Sequence, residues 1–178
     1  NVVHATNLAS GAESAVLIDA QSQQILYQKN ATKKLYPAST TKIMTMILLF
    51  EAIQEKRLKW DDILTCSAYA SSMGGSQIFL KVGEKMTVED LLKGVAIASG
   101  NDAVVALAER VSGSEEQFVK RMNIRAKDLG LKNTNFINAT GLTADNHYSS
   151  AYDMSLIAKE LIKHEKILEF TSTYEDYL

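Results

Sequence analysis

Apolar residues crowd into one stretch of the chain. Ile43 to Phe50 is apolar at every position except Thr45. A helix that is apolar on nearly all sides is a buried one. Pro37 lacks an amide hydrogen and holds its own φ, so it suits the first turn of such a helix. The pattern predicts a helix from Pro37 to about Gln54, with Ser39 in its first turn and Lys42 one turn later.

Around this stretch the pattern is weaker but legible. Ala15 to Asp19 and Gln24 to Tyr27 read as two strands, with Ala20-Gln21-Ser22-Gln23 as a hairpin turn. A short strand is expected around Ile63-Leu64-Thr65. Ser71 to Ser76 contains paired glycines and reads as a loop. Thr87, with Glu89 and Asp90 behind it, caps a helix that is apolar at Leu91, Leu92, Val95 and Ala96 and stops at Gly100. Asn101 or Asp102 should cap the next, through Val105, Leu107 and Val111. Ser114 begins another, with Phe118, Val119 and Met122 facing inward and Gly130 as terminator. Thr134 to Ile137 predicts a short strand and Gly141 to Ser149 a loop. Ser150, with Asp153 three residues on, caps a helix to about His164, and a further short helix covers Glu165 to Phe170. Residues 1–14 are small and polar, a flexible lead-in; 15–178 carry the fold.

Composition narrows the function. The chain has 178 residues, 46% apolar and 22% charged, as expected of a soluble globular domain. A net charge of −2 gives no footprint for nucleic acid. The single cysteine, Cys66, excludes an internal disulfide and reads as a small buried residue. His4, His147 and His164 lack metal-ligand spacing, so no metal and no cofactor are expected. The longest apolar run is far shorter than the roughly 20 residues that span a bilayer. The chain starts at Asn1 without a basic-then-apolar segment, so a signal peptide is expected to be absent or already removed.

The chemistry sits where the apolar helix begins. Residues three apart on a helix have Cβ atoms roughly 5–6 Å apart, so the Lys42 amine can reach the Ser39 hydroxyl. A serine is a weak nucleophile until a base takes its proton. Lysine serves only if its pKa falls, because near 10.4 about 1 in 2500 is neutral at pH 7. Burial and the positive end of a helix dipole both push that way, and the first-turn amides can stabilise an oxyanion. Ser-x-x-Lys alone is weak: about 0.7 copies are expected by chance in a chain of this length. Ser99-Gly100-Asn101, read alone, is a glycine that ends one helix and an asparagine that caps the next. Ser-x-x-Lys followed some 60 residues later by Ser-x-Asn is, however, the pattern of penicillin-recognising serine enzymes.

The match extends further. Tyr36-Pro37-Ala38-Ser39-Thr40-Thr41-Lys42-Ile43-Met44-Thr45 closely resembles the nucleophile segment of the low-molecular-mass D-alanyl-D-alanine carboxypeptidases. Gly75-Ser76, Val82-Gly83-Glu84, Val88 to Leu92, Ala98 to Ala103, Thr140-Gly141-Leu142 and His147 to Met154 resemble the same family, in the expected order. The resemblance implies an α/β, β-lactamase/transpeptidase-like fold: an antiparallel sheet flanked by helices, with a helix-rich subdomain. It implies a bacterial, extracytoplasmic serine peptidase that removes the last D-alanine from peptidoglycan stem peptides ending in D-Ala-D-Ala. By similarity Ser39 is the nucleophile, Lys42 its base, Ser99 a proton relay to the leaving D-alanine, and Asn101 a holder of the substrate backbone and of Lys42. β-Lactams mimic the dipeptide and should acylate Ser39.

One family feature is missing. The third motif, Lys-Thr-Gly or Lys-Ser-Gly, occurs nowhere in these residues. The chain is therefore expected to be the N-terminal part of a longer protein, with an incomplete sheet. Membrane anchoring, if any, would come through a C-terminal region outside it. Three alternatives share parts of the pattern. A class A β-lactamase would need Ser-Asp-Asn and a Glu-x-x-Leu-Asn setting, both missing. A D-Ala endopeptidase shares every motif. A non-catalytic penicillin-binding fragment would keep the fold without turnover.

Overall fold

The computed structural model describes residues 8–172. The expected lead-in lies partly outside them; the carbonyls of Ala9 and Ser10 accept from Lys29 Nζ at 3.0 and 3.3 Å. Strands β1 (Ala15–Ile18) and β2 (Ile25–Lys29) form the expected antiparallel hairpin, with Leu17 opposite Tyr27. Asp19 closes its turn by accepting from the Ser22 amide and hydroxyl, each at 2.7 Å.

Helix α1 (Thr41–Gln54) is the axis of the molecule. From Thr41 to Phe50 every residue is buried except half-buried Ile43. It is enclosed by α4 (Asn101–Ser112), α5 (Glu115–Asp128) and α6 (Ala151–Leu161). Each large aliphatic side chain so enclosed contributes about 1.5–3 kcal/mol. Arg125 of α5 ties the bundle together, with its guanidinium 2.8 Å from Glu51 of α1 and 2.9 Å from Glu160 of α6. The predicted caps are in place. Ser114 Oγ accepts from Gln117 N at 3.2 Å and Ser150 Oγ from Asp153 N at 3.1 Å. Gly130, at φ +71°, follows α5 in the left-handed conformation that suits glycine.

A second small sheet pairs β3 (Ile63–Thr65) with β4 (Lys85–Thr87), a strand the hydrophobic pattern did not predict. The one-turn helix α2 (Ala68–Ser71) lies between them in sequence. Thr87 ends β4 and caps α3 (Val88–Ala98), its Oγ1 accepting from Asp90 N at 3.1 Å. Helix α7 (Lys166–Thr171) packs on α3, and its Phe170 meets Trp60 edge-on, with centroids 6.1 Å apart. Cys66 is buried as expected, and burial pushes its thiol pKa up.

Three expectations are corrected. Thr134 to Ile137 is no strand; it makes one isolated bridge, Asn135 to Tyr148. Asn123 supplies the pairing a neighbouring strand would have given, binding both Phe136 N and Phe136 O at 2.9 and 2.8 Å. Neither Asn101 nor Asp102 caps α4; Gly100 takes the cap position and both follow inside the first turn. The nucleophile helix also starts later than Pro37, for a reason that belongs to the site.

Candidate active site

Ala38 has φ +48°, in the left-handed region. An α-helix cannot pass through such a residue, and a non-glycine there is strained by about 1–2 kcal/mol. Ala38–Thr40 therefore form a separate 3-10 turn, and α1 begins at Thr41. Thr40 Oγ1 closes the turn by donating to Pro37 O. The neighbour that shapes this turn is Gly141, at φ +86°, whose backbone lies directly against the Ala38 carbonyl. A Cβ on Gly141 would sit 1.9 Å from Ala38 O and 3.1 Å from Ser39 N. Only glycine permits this approach.

Lys42 lies one turn beyond Ser39 and is only 6% exposed. Its Nζ donates to the Thr140 carbonyl at 2.7 Å. A carbonyl is a neutral partner, so it orients the amine without a countercharge that would hold it protonated. Burial pulls the Lys42 pKa down from 10.5 to about 8. A lone pair is thus available to a neighbouring hydroxyl near neutral pH.

Ser99 ends α3 in the left-handed conformation, φ +56°. The turn is held by Ser99 N to Val95 O at 3.1 Å and Gly100 N to Gly94 O at 3.0 Å. The expected glycine terminator is thus replaced by the serine itself, whose backbone conformation bends the chain at the cleft. Ser39, Lys42 and Ser99 line one cavity of about 320 Å³, walled by Ile43, Met46, Val95 and Leu161.

Asn101 points elsewhere. Its Nδ2 donates to Gly74 O at 2.7 Å, and its Oδ1 is buried with no partner among the described residues. The Lys42 amine bonds to the Thr140 carbonyl, not to Asn101. Asp102, fully buried, accepts from the amides of Ile78, Leu80 and Ala103 at 3.1, 2.9 and 2.9 Å. It fixes the 74–80 segment against the Ser99 turn.

Sequence reasoning placed Ser39, Lys42 and Ser99, and the structure brings them to one cleft. It missed the Thr140 carbonyl, because a backbone acceptor has no side-chain signature. Gly141 carried a hint, since a glycine inside a loop motif can mark a close backbone approach. Asp145 and His147 do not line the cavity with Ser39. His147 packs beneath the site, 1% exposed and edge-on to Phe136 at 5.9 Å.

A weak hydroxyl nucleophile beside a buried, partly neutral amine, with a second hydroxyl across the cleft, is an acyl-transfer arrangement. Comparison with known proteins agrees with it. The profile of the D-alanyl-D-alanine carboxypeptidase family, peptidase family S11, matches residues 1–178. The D-alanyl-D-alanine carboxypeptidase DacF of Bacillus subtilis is 61% identical over 173 residues, covering 97% of this chain and 44% of that protein. Among solved structures, the carboxypeptidase DacD from Francisella tularensis superposes with a TM-score of 0.90 at 35% identity, over 96% of this chain and 42% of that one. Penicillin-Binding Protein D2 from Listeria monocytogenes, solved in an ampicillin-bound form, gives a TM-score of 0.81 at 32% identity, over 91% of this chain and 66% of that one. The chain spans less than half the length of curated relatives such as the Bacillus subtilis protein. The fold is that of the penicillin-binding transpeptidase group, and the chain belongs to the D-alanyl-D-alanine carboxypeptidase family, peptidase family S11.

Proposed function

We propose that this chain carries the nucleophile half of a serine-type D-alanyl-D-alanine carboxypeptidase acting on peptidoglycan stem peptides outside the cytoplasm. The observation that carries the reading is the Lys42 amine: buried, held by a carbonyl, and in one cleft with Ser39 and Ser99. In this reading neutral Lys42 takes the Ser39 Oγ proton as Oγ attacks the carbonyl carbon of the penultimate D-alanine. The tetrahedral intermediate collapses, the C–N bond breaks, and Ser99 relays a proton to the departing D-alanine nitrogen. Water then attacks the Ser39 ester, and Oγ recovers its proton. Asn101 would hold the substrate backbone once its Nδ2 turns from Gly74. A Lys-Thr-Gly or Lys-Ser-Gly strand from polypeptide outside these 178 residues would supply the cation for the substrate carboxylate and a second oxyanion amide. A lost oxyanion donor typically costs about 10²–10³ in rate, so that strand governs turnover more than it governs the nucleophile.

β-Lactams should acylate Ser39, in keeping with the ampicillin-bound form of Penicillin-Binding Protein D2. The test is incubation with fluorescent penicillin, intact mass spectrometry, and assay of D-alanine release from a peptide ending in D-Ala-D-Ala. An adduct that disappears in Ser39→Ala, with D-alanine release, is expected. An adduct without release in the full-length polypeptide would leave a penicillin-binding, non-hydrolytic protein. No adduct there would refute the reading.

A further inference from the structure

The fold devotes one strip of chain, residues 136–149, to gripping the start of α1. Thr140 O holds Lys42 Nζ, and Ala139 O accepts from Thr45 Oγ1, each at 2.7 Å. Gly141 presses on the Ala38 carbonyl. The strip is itself braced from outside: Ala139 N donates to Glu115 Oε1 at 3.0 Å, and Asn123 pins Phe136.

His147 sits at the centre of this grip. Its Nδ1 accepts the Ile137 amide hydrogen at 2.9 Å. A backbone N–H can only donate, so Nδ1 is unprotonated and the ring hydrogen is on Nε2. Nε2 lies 2.8 Å from Thr41 Oγ1 and therefore donates to it. Both ring nitrogens are consumed, and the ring does not line the Ser39 cavity. His147 is thus no base for Ser39. Thr41, however, is the residue between the Ser39 turn and Lys42, fully buried. The bond fixes the first residue of α1 to the same strip that holds the Lys42 amine.

We infer that His147 is a positioning residue: through Thr41 and Ile137 it sets the nucleophile turn and the Thr140 carbonyl in register, so that Ser39 and Lys42 meet. The inference rests on the acyl-transfer reading for its kinetic consequence and on geometry alone for its effect on Lys42.

The two bonds can be cut separately. His147→Asn places an amide oxygen near Nδ1 and keeps the Ile137 bond, but cannot reach Thr41. His147→Gln places an amide nitrogen near Nε2 and keeps the Thr41 bond. Thr41→Val removes the partner. In the full-length polypeptide, penicillin acylation should fall about 10- to 100-fold in His147→Asn and in Thr41→Val. The double variant should be no slower than the slower single one. His147→Gln should stay within about threefold of wild type. Ring ¹⁵N spectra of the wild-type chain should show the Nε2–H form, and the Lys42 titration midpoint should shift from its wild-type value in His147→Asn. Additive losses, an Nδ1–H tautomer, or an unmoved Lys42 midpoint would overturn the inference. If wild type takes no penicillin, the acyl-transfer reading fails, while the tautomer and the Lys42 midpoint still decide the positioning role.

Discussion

Acylation of Ser39 should follow the neutral fraction of Lys42. With its pKa pulled to about 8 by burial, about 1% of Lys42 is neutral at pH 6, about 9% at pH 7 and about half at pH 8. At an ordinary lysine value near 10.4, the neutral fraction at pH 7 would be about 1 in 2500. Burial therefore raises the competent fraction at pH 7 some 200-fold, equivalent to about 3 kcal/mol of barrier. The second-order rate of fluorescent penicillin labelling, measured by stopped reaction and gel fluorescence, should rise about 50-fold from pH 6 to pH 8 and level off above pH 9. Penicillin's own carboxylate stays ionised throughout, so the slope belongs to the protein. A rate that is flat across this range would refute lysine as the base. A midpoint near 10 would refute the claim that burial tunes it.

Three further outcomes follow from the same geometry. Lys42→Met should abolish acylation yet stabilise the fold at pH 7. A lysine whose folded pKa lies below its unfolded one binds fewer protons when folded, so stability rises with pH between about 8 and 10.5. Below pH 8 the folded state bears the full penalty, about 3 kcal/mol; after about 1 kcal/mol for the orphaned Thr140 carbonyl, melting should rise by several degrees, and a fall would contradict it. Gly141→Ala should lose acylation and several kcal/mol of stability, since its Cβ would lie 1.9 Å from Ala38 O, backbone against backbone; normal labelling would show that the two segments are not in contact. Asp102→Ala strands the buried amides of Leu80 and Ala103 and the half-buried amide of Ile78, at about 1–3 kcal/mol for each buried one, so urea unfolding should shift by about 2 kcal/mol or more; a shift below about 1 would show that water replaces the carboxylate.

Local chemistry, read from sequence, determined the elements whose signals lie within a few residues. Thr87, Ser114 and Ser150 cap helices because each hydroxyl bonds an amide three positions on, a contact no distant residue arranges. The run around Ile47 and Leu49 determined that α1 would be enclosed, since nothing but burial accommodates so many apolar residues. Ser39-x-x-Lys42 and Ser99-x-Asn101 were visible as spacings. The tertiary structure alone decided what those spacings mean. Ala38 is left-handed where Gly141, far along the chain, lies against its carbonyl. The Lys42 pKa falls because the fold buries the amine, which donates to the carbonyl of Thr140, 98 residues away. Thr134 to Ile137 failed as a strand because Asn123 met its backbone groups in place of a neighbour. Hydrogen bonds to backbone and the loss of water around a charge depend on which segments meet, and no short stretch of sequence encodes that meeting.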